Sequence, residues 1–127
     1  MREITEEWVF KAEEDYHSVA RLLYSEDVPI ASPACLHCQQ CAEKYVKAFL
    51  EEHKVDFPRH HNLVQLLDMC LALDRDFETL RNNLLHLEGY AVAIRYPGVR
   101  ISVEIAERAL ADAGHIREFV RTKLGIK

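Results

Sequence analysis

Apolar residues recur every three or four positions along almost the whole 127-residue chain, and this spacing most constrains its fold. No segment alternates apolar and polar residues over the length of a strand. The chain has only four glycines and four prolines, so the connections between the apolar stripes are short. The sequence therefore predicts one all-α domain over residues 1–127, an up-down antiparallel helical bundle of about five helices.

The helix boundaries follow from capping residues and prolines. The first helix is expected to begin near Thr5. Ser32 and Pro33 are expected to be the N-cap and first residue of the second helix. Because that helix is apolar around much of its circumference, we expect it at the centre of the bundle. A short third helix follows, the fourth is expected to carry Phe77 directly after a break at Asp74–Asp76, and Ser102 is expected to cap the fifth.

Negative charge is concentrated at the start of the chain. Residues 1–27 hold eight acidic and three basic residues, and their net charge of −5 equals that of the whole chain. The remaining residues are balanced, so the composition excludes a general nucleic-acid coat protein. Any phosphate group must therefore be bound by a local cluster of cations.

Several other functional classes lack their sequence signatures. No apolar run approaches the about 20 residues of a membrane span, and the first ten residues do not form a secretory signal. We therefore expect a cytoplasmic protein with no membrane partner. Glycine-rich phosphate loops, dinucleotide fingerprints and zinc-protease motifs are missing from the sequence.

Three cysteines, Cys35, Cys38 and Cys41, stand at three-residue steps on the second helix, with His37 between them. In iron–sulfur sites such a spacing lies in a loop, where the thiolates converge. A helix spreads the same thiols across its face, and buried cysteine packs like a small apolar residue. We expect these cysteines in the core and predict neither a metal nor a cofactor.

Arg81, Asn82 and His86 form the candidate catalytic group. Arg81 and His86 are about 140° apart around the fourth helix. Histidine and arginine are the minimum set for metal-free RNA cleavage, because histidine transfers the proton and arginine stabilises the phosphoryl charge. Asn82 lies one turn before His86 and is expected to fix its tautomer. The alternative is a solvated helix flank without catalytic function.

A second group of cations follows on the same part of the chain. Arg95 and Arg100 lie close to Tyr96, and Glu88 is the sole acidic residue between positions 81 and 100. These side chains are candidates for phosphate binding near the start of the fifth helix. Alternatively, the arginines close helix ends and pair with Glu88 or Glu43.

Arg59 and the adjacent pair His60 and His61 precede the third helix. Two adjacent loop histidines point in different directions, so they are not expected to bind one metal together. One interpretation is that a histidine anchors the start of the third helix. The other is that His61 and Arg59 face a phosphate group.

Four motifs occur in a fixed order between residues 8 and 100. They are Trp8-x-x-x-Ala12-x-x-Asp15-Tyr16, the stretch Gln40–Ala48 that reads Gln-x-x-Glu-Lys-x-x-Lys-Ala, His61-Asn62-Leu63, and Tyr90 followed by Arg95-Tyr96-Pro97. Together they resemble the HEPN family (higher eukaryotes and prokaryotes nucleotide-binding). The resemblance implies a HEPN-like helical bundle that commonly forms a homodimer and is often encoded beside a minimal nucleotidyltransferase.

The resemblance favours a nucleotide- or RNA-associated partner of such a transferase in a toxin–antitoxin-like pair. The phosphate- or nucleotide-binding candidates are Arg95, Arg100, Lys44, Lys47, Arg59, His61 and Tyr96. The alternative is a metal-independent endoribonuclease toxin, because active members carry Arg-x(4–6)-His, which Arg81…His86 resembles. Two copies of that motif are then expected to meet across the dimer. A third interpretation is an oligomerisation module without a ligand.

Two features of the sequence count against the ribonuclease that the Arg81…His86 spacing favours. Some active members continue as His-x-Tyr, whereas Glu88 stands at that position here. Members that carry Arg-Tyr-Pro after the fourth helix, as this chain does at residues 95–97, often lack the arginine–histidine pair. The binding partner and the ribonuclease therefore both remain open at the level of the sequence.

Overall fold

The computed structural model describes residues 1–59 and 62–127, which form five α-helices and no strand. The helices are α1 (Glu3–Ala20), α2 (Ala31–Glu52), α3 (Leu63–Leu71), α4 (Arg81–Ile94) and α5 (Val103–Leu124). A π-helical turn continues α1 over Arg21–Ser25, and a 3-10 turn over Arg75–Leu80 leads into α4. The predicted all-α architecture is confirmed.

Helix α2 is the centre of the fold, as its apolar circumference predicted. It packs against α1, α3, α4 and α5. Tyr45, Phe49 and Leu50 of this helix are among the largest fully buried side chains. The rings of Phe49 and Phe77 pack in a tilted arrangement with centroids 4.4 Å apart, so the 3-10 turn before α4 contributes directly to the core.

Two predicted helix starts are wrong. Ser32 does not cap α2, which begins at Ala31 with Ile30 as its N-cap and no side-chain cap. The Ile30 amide donates to the Leu22 carbonyl at 2.9 Å, and this bond brings the chain into the helix before Ser32 is reached. Phe77 is buried as expected but belongs to the 3-10 turn, because the Asp74 side chain caps that turn and α4 begins only at Arg81.

Capping side chains start α3 and α5, whereas α1 begins at Glu3 without a side-chain cap. Asn62 and Gln65 form a reciprocal capping box at α3, with hydrogen bonds of 2.8 and 2.9 Å. Ser102 accepts from the Ile105 amide at 3.2 Å and caps α5, as predicted. His60 and His61, one of which was expected to anchor α3, lie outside the described residues.

The cysteines lie in the core, as the helical pattern predicted. Cys35, Cys38, Cys41 and Cys70 are buried free thiols. Within residues 1–59 and 62–127, no group of three potential ligands among His, Cys, Asp and Glu is placed to hold a metal ion. Among the described helices, none combines the length and apolar character needed to cross a membrane.

Candidate functional site

Arg81 is the first residue of α4, and carboxylates on two neighbouring elements bind its guanidinium. Nε and Nη2 donate to Glu78 at 2.8 and 2.9 Å, and Nη2 also donates to Asp68 of α3 at 3.2 Å. The bonds to Glu78 and Asp68 raise the pKa of the guanidinium above its ordinary value. The charge of Arg81 is therefore already matched by carboxylates on the α3 side of α4.

His86 lies on the other side of the same helix and contacts α5. Its Nδ1 is 3.3 Å from Oδ2 and 3.4 Å from Oδ1 of Asp112. The imidazole side chain is 57% exposed, whereas the side chain of Asp112 is only 11% exposed. Arg81 and His86 therefore contact different helices within one chain and share no partner among the described residues.

Asn83, and not Asn82, is the amide beside this histidine. Asn83 Nδ2 donates to Asp112 Oδ1 at 2.8 Å. Asn82 is exposed and makes no hydrogen bond to His86 in the described part of the chain. On an α-helix, positions 83 and 86 share a face as well as 82 and 86 do, so spacing alone did not distinguish them. Helix α5 makes the distinction, because its Asp112 contacts the face of α4 that carries Asn83 and His86.

Sequence reasoning missed Asp112 altogether. Its neighbours on the buried stripe of α5 are Ala109, Ala113 and Ile116. Carboxylates are seldom buried unless they have polar partners. An acidic residue within an alanine-rich apolar stripe could therefore have indicated a buried carboxylate with polar partners. In the structure, those partners are Asn83 and His86.

The cations after α4 stand apart from these pairs. Arg95, Tyr96 and Arg100 are all exposed in the connection from α4 to α5. Among the described residues, neither arginine forms an ion pair, so the alternative in which they pair with Glu88 or Glu43 is not supported. This connection presents two cations and one aromatic ring to solvent.

Lys44 and Lys47 of α2 have acidic partners. Lys44 Nζ lies 2.6 Å from Asp15 Oδ2, and Lys47 Nζ lies 3.3 Å from Glu43 Oε2. Lys47 also lies over the Trp8 ring, 5.2 Å from its centroid. The contacts with Asp15 and Trp8 tie α2 to α1, and all three leave the two lysines less available for phosphate than Arg95 and Arg100.

The remaining phosphate candidates are Arg59 and His61. Arg59 is exposed in the loop before α3. His61 lies outside the described residues, so the structure does not relate the two side chains.

A comparison with known protein families identifies the bundle. The HEPN domain profile matches residues 5–123, from the first turns of α1 to the last turn of α5. The chain belongs to the HEPN domain family. Searches of curated proteins and of solved structures find no match. In this HEPN domain, the Trp8, Asp15 and Lys44 positions of the family motifs all lie at the contact between α1 and α2.

Proposed function

We propose that this HEPN domain binds phosphate groups of a nucleotide or an RNA through Arg95 and Arg100. The observation that supports the proposal is that both guanidiniums are exposed and free of acidic partners among the described residues. Guanidinium forks match the geometry of phosphate oxygens. Tyr96 is 62% exposed between them and offers a surface on which a base can stack.

The overall charge favours a restricted contact with nucleic acid. The chain carries a net charge of −5, so long-range attraction does not hold RNA on the whole surface. Binding is expected only where an unpaired cluster such as Arg95 and Arg100 stands. We further propose that the domain acts as the partner of a minimal nucleotidyltransferase in a toxin–antitoxin-like pair, as the family resemblance implies.

Titration of a labelled single-stranded RNA and of ATP tests the phosphate site. The double variant Arg95→Ala/Arg100→Ala is expected to weaken binding and to reduce the slope of log affinity against log salt by about 0.7 for each lost phosphate contact. Arg21→Ala is the matched control, because Arg21 is exposed outside this segment. Equal binding by the double variant and the parent protein would contradict the proposal.

The partnership requires a separate experiment. The protein is co-expressed with the product of the neighbouring gene, and the complex is analysed by size-exclusion chromatography and mass spectrometry. A stable complex with a minimal nucleotidyltransferase supports the pair. Separate elution of the two proteins, or a neighbour of another class, contradicts it.

The surroundings of His86 favour a second candidate, a metal-independent endoribonuclease. The imidazole is exposed on one side and contacts a buried carboxylate on the other. In such a reaction, His86 accepts the 2′-hydroxyl proton, the 2′-oxygen bonds to phosphorus, and the bond to the 5′-oxygen breaks. The leaving oxygen takes a proton from solvent, and the product is a 2′,3′-cyclic phosphate.

Because Arg81 and His86 contact different helices, this candidate requires the arginine of a second copy or a rearrangement of Arg81. RNA cleavage is measured in EDTA for the parent protein, His86→Ala and Arg81→Ala. Loss of cleavage in both variants supports the ribonuclease. Cleavage by His86→Ala at the parental rate, or no cleavage by the parent protein, eliminates it. Analytical ultracentrifugation of the same samples tests the proposed homodimer.

A further inference from the structure

Asp112 is a buried carboxylate whose described polar contacts both lie on α4. It belongs to α5, is 8% exposed, and its side chain faces α4. Asn83 Nδ2 donates to its Oδ1 at 2.8 Å, and His86 Nδ1 lies 3.3 Å from its Oδ2. Asn83 and His86 are three residues apart on one face of α4, so a single side chain of α5 reaches both.

The chemistry of the three groups fixes the direction of each hydrogen bond. An ionised carboxylate only accepts, and the amide nitrogen of Asn83 only donates. A neutral imidazole carries one proton, on either Nδ1 or Nε2. Beside the carboxylate, that proton must be on Nδ1, which leaves the lone pair on Nε2.

We propose that Asp112, held in place by Asn83, is a positioning residue that keeps neutral His86 in the Nδ1–H tautomer with Nε2 available to an RNA hydroxyl. The proposal rests on the ribonuclease candidate above. The 57% exposure of the imidazole gives a substrate access to the ring, while burial of Asp112 keeps water from competing for Nδ1.

The negative charge of Asp112 also acts on its other neighbours. Burial raises the pKa of the Cys35 thiol to about 11, and the charge of Asp112 adds to that rise. Burial likewise raises the pKa of the Tyr90 hydroxyl, again with a contribution from Asp112. Both groups therefore lie close enough to Asp112 to be affected by its charge.

The variant Asp112→Asn separates a positioning residue from a simple tie between helices. Asn83 Nδ2 donates to Oδ1, so we expect the carbonyl oxygen of the new amide to keep that position. The new amide nitrogen then replaces Oδ2, 3.3 Å from His86 Nδ1, where it can donate to the ring nitrogen. Because the carboxylate charge that favours Nδ1–H is lost, we expect the Nε2–H tautomer to predominate, although the shape of the side chain is nearly unchanged.

Long-range ¹H–¹⁵N NMR spectra of the full-length protein report which ring nitrogen of His86 carries the proton. We expect Nδ1–H in the parent protein and Nε2–H in Asp112→Asn. Glu118→Gln is the matched control, because it makes the same change at an exposed position of α5 and should leave the spectrum of His86 unchanged. If the parent protein carries the proton on Nε2, the proposal is overturned, and this result does not require any variant to fold. The proposal is also overturned if the parent protein and Asp112→Asn show the same tautomer.

RNA cleavage by the same samples separates the proposal from the function on which it rests. Inverting the tautomer should lower kcat by about 100-fold or more with KM nearly unchanged, because the base is removed but the binding surface is kept. Cleavage by Asp112→Asn at the parental rate overturns the positioning role. If the parent protein shows the expected tautomer but cleaves no RNA, the ribonuclease fails and the orientation of His86 by Asp112 stands.

Discussion

Arg117 of α5 binds Glu13 of α1 through two hydrogen bonds of 2.7 Å, one from Nε and one from Nη2. The Tyr45 hydroxyl of α2 donates to the same carboxylate at 2.6 Å. Arg121 adds a contact of 3.5 Å from Nη1. One carboxylate therefore joins three helices, although α1 and α5 have few direct contacts.

Replacing Glu13 should destabilise the bundle. In Glu13→Ala, the Arg117 guanidinium and the Tyr45 hydroxyl lose their shared acceptor while remaining partly buried. We expect the free energy of unfolding to fall by about 3 kcal/mol, as measured by urea denaturation. Glu14→Ala is the matched control, because Glu14 is exposed and its contact with Lys11 is 3.9 Å long. A loss below 1 kcal/mol in Glu13→Ala would show that this network does not stabilise the fold.

The same carboxylate should make stability depend on acid pH. Burial raises the pKa of Glu13, but the hydrogen bonds from Arg117 and Tyr45 lower it by more than burial raises it. The net result is a pKa below the ordinary 4.5. A depressed folded-state pKa contributes stability above pH 4.5, and that contribution is lost as the pH falls through the lower folded value. Urea denaturation between pH 6 and pH 3 should show a steeper loss for the parent protein than for Glu13→Gln. Parallel curves for the two proteins would contradict this assignment.

The four cysteines should be unreactive in the native protein. Burial raises the pKa of Cys35 to about 11 and that of Cys70 to about 12, and it raises those of Cys38 and Cys41 as well. Very little reactive thiolate is then present at pH 8. Ellman's reagent should label none of the four within minutes in buffer and all four in 6 M guanidinium chloride. Rapid labelling of Cys35 in buffer would show that the start of α2 opens.

Much of the fold was predictable because its determinants are local. The apolar period of each segment gave the helices, and the continuous apolar circumference of α2 gave its central position. Ser102 was correctly identified as a cap because its bond spans only three residues. Ser32 was misassigned because a bond from Ile30 to the Leu22 carbonyl decides where α2 begins. That bond depends on how the chain turns after α1, which the pattern around Ser32 does not contain.

The candidate site was less predictable because its partners come from distant parts of the sequence. Asn82 and His86 are four residues apart, a spacing that suggested a contact between them. In the structure, Asp112 of α5 contacts Asn83 and His86, so Asn83 is the amide that lies beside the histidine. Likewise, the sequence spacing of Arg81 and His86 suggests one catalytic pair. In the structure, Arg81 contacts Asp68 of α3 and His86 contacts Asp112 of α5. In contrast, Glu43 and Lys47 are four residues apart on α2 and form an ion pair of 3.3 Å, a contact that depends on local spacing alone.

Asn82 and Asn83 are neighbouring asparagines, and comparing them tests whether only Asn83 binds Asp112. Asn83→Ala removes a 2.8 Å hydrogen bond to the buried Asp112 carboxylate, so we expect a loss of about 2 kcal/mol in the free energy of unfolding. Asn82→Ala alters an exposed position and should change stability by less than about 0.5 kcal/mol. Urea denaturation of both variants measures the difference. Equal effects would show that Asn83 does not hold Asp112.

Two helical glycines allow a final comparison. Gly89 lies in α4, and a Cβ at this position would have no atom within 4 Å. Gly114 lies in α5, where a Cβ would be 3.4 Å from the Tyr16 hydroxyl oxygen, an ordinary contact. Alanine favours a helix over glycine by about 1 kcal/mol, so Gly89→Ala should stabilise the protein by up to that amount. Gly114→Ala should stabilise it by no more than Gly89→Ala does, because the Tyr16 ring is also fixed by Arg117, whose Cζ lies 4.7 Å from the ring centroid. Thermal unfolding of both variants checks the order, and a loss of stability in Gly114→Ala would show that Tyr16 cannot accommodate the added methyl group.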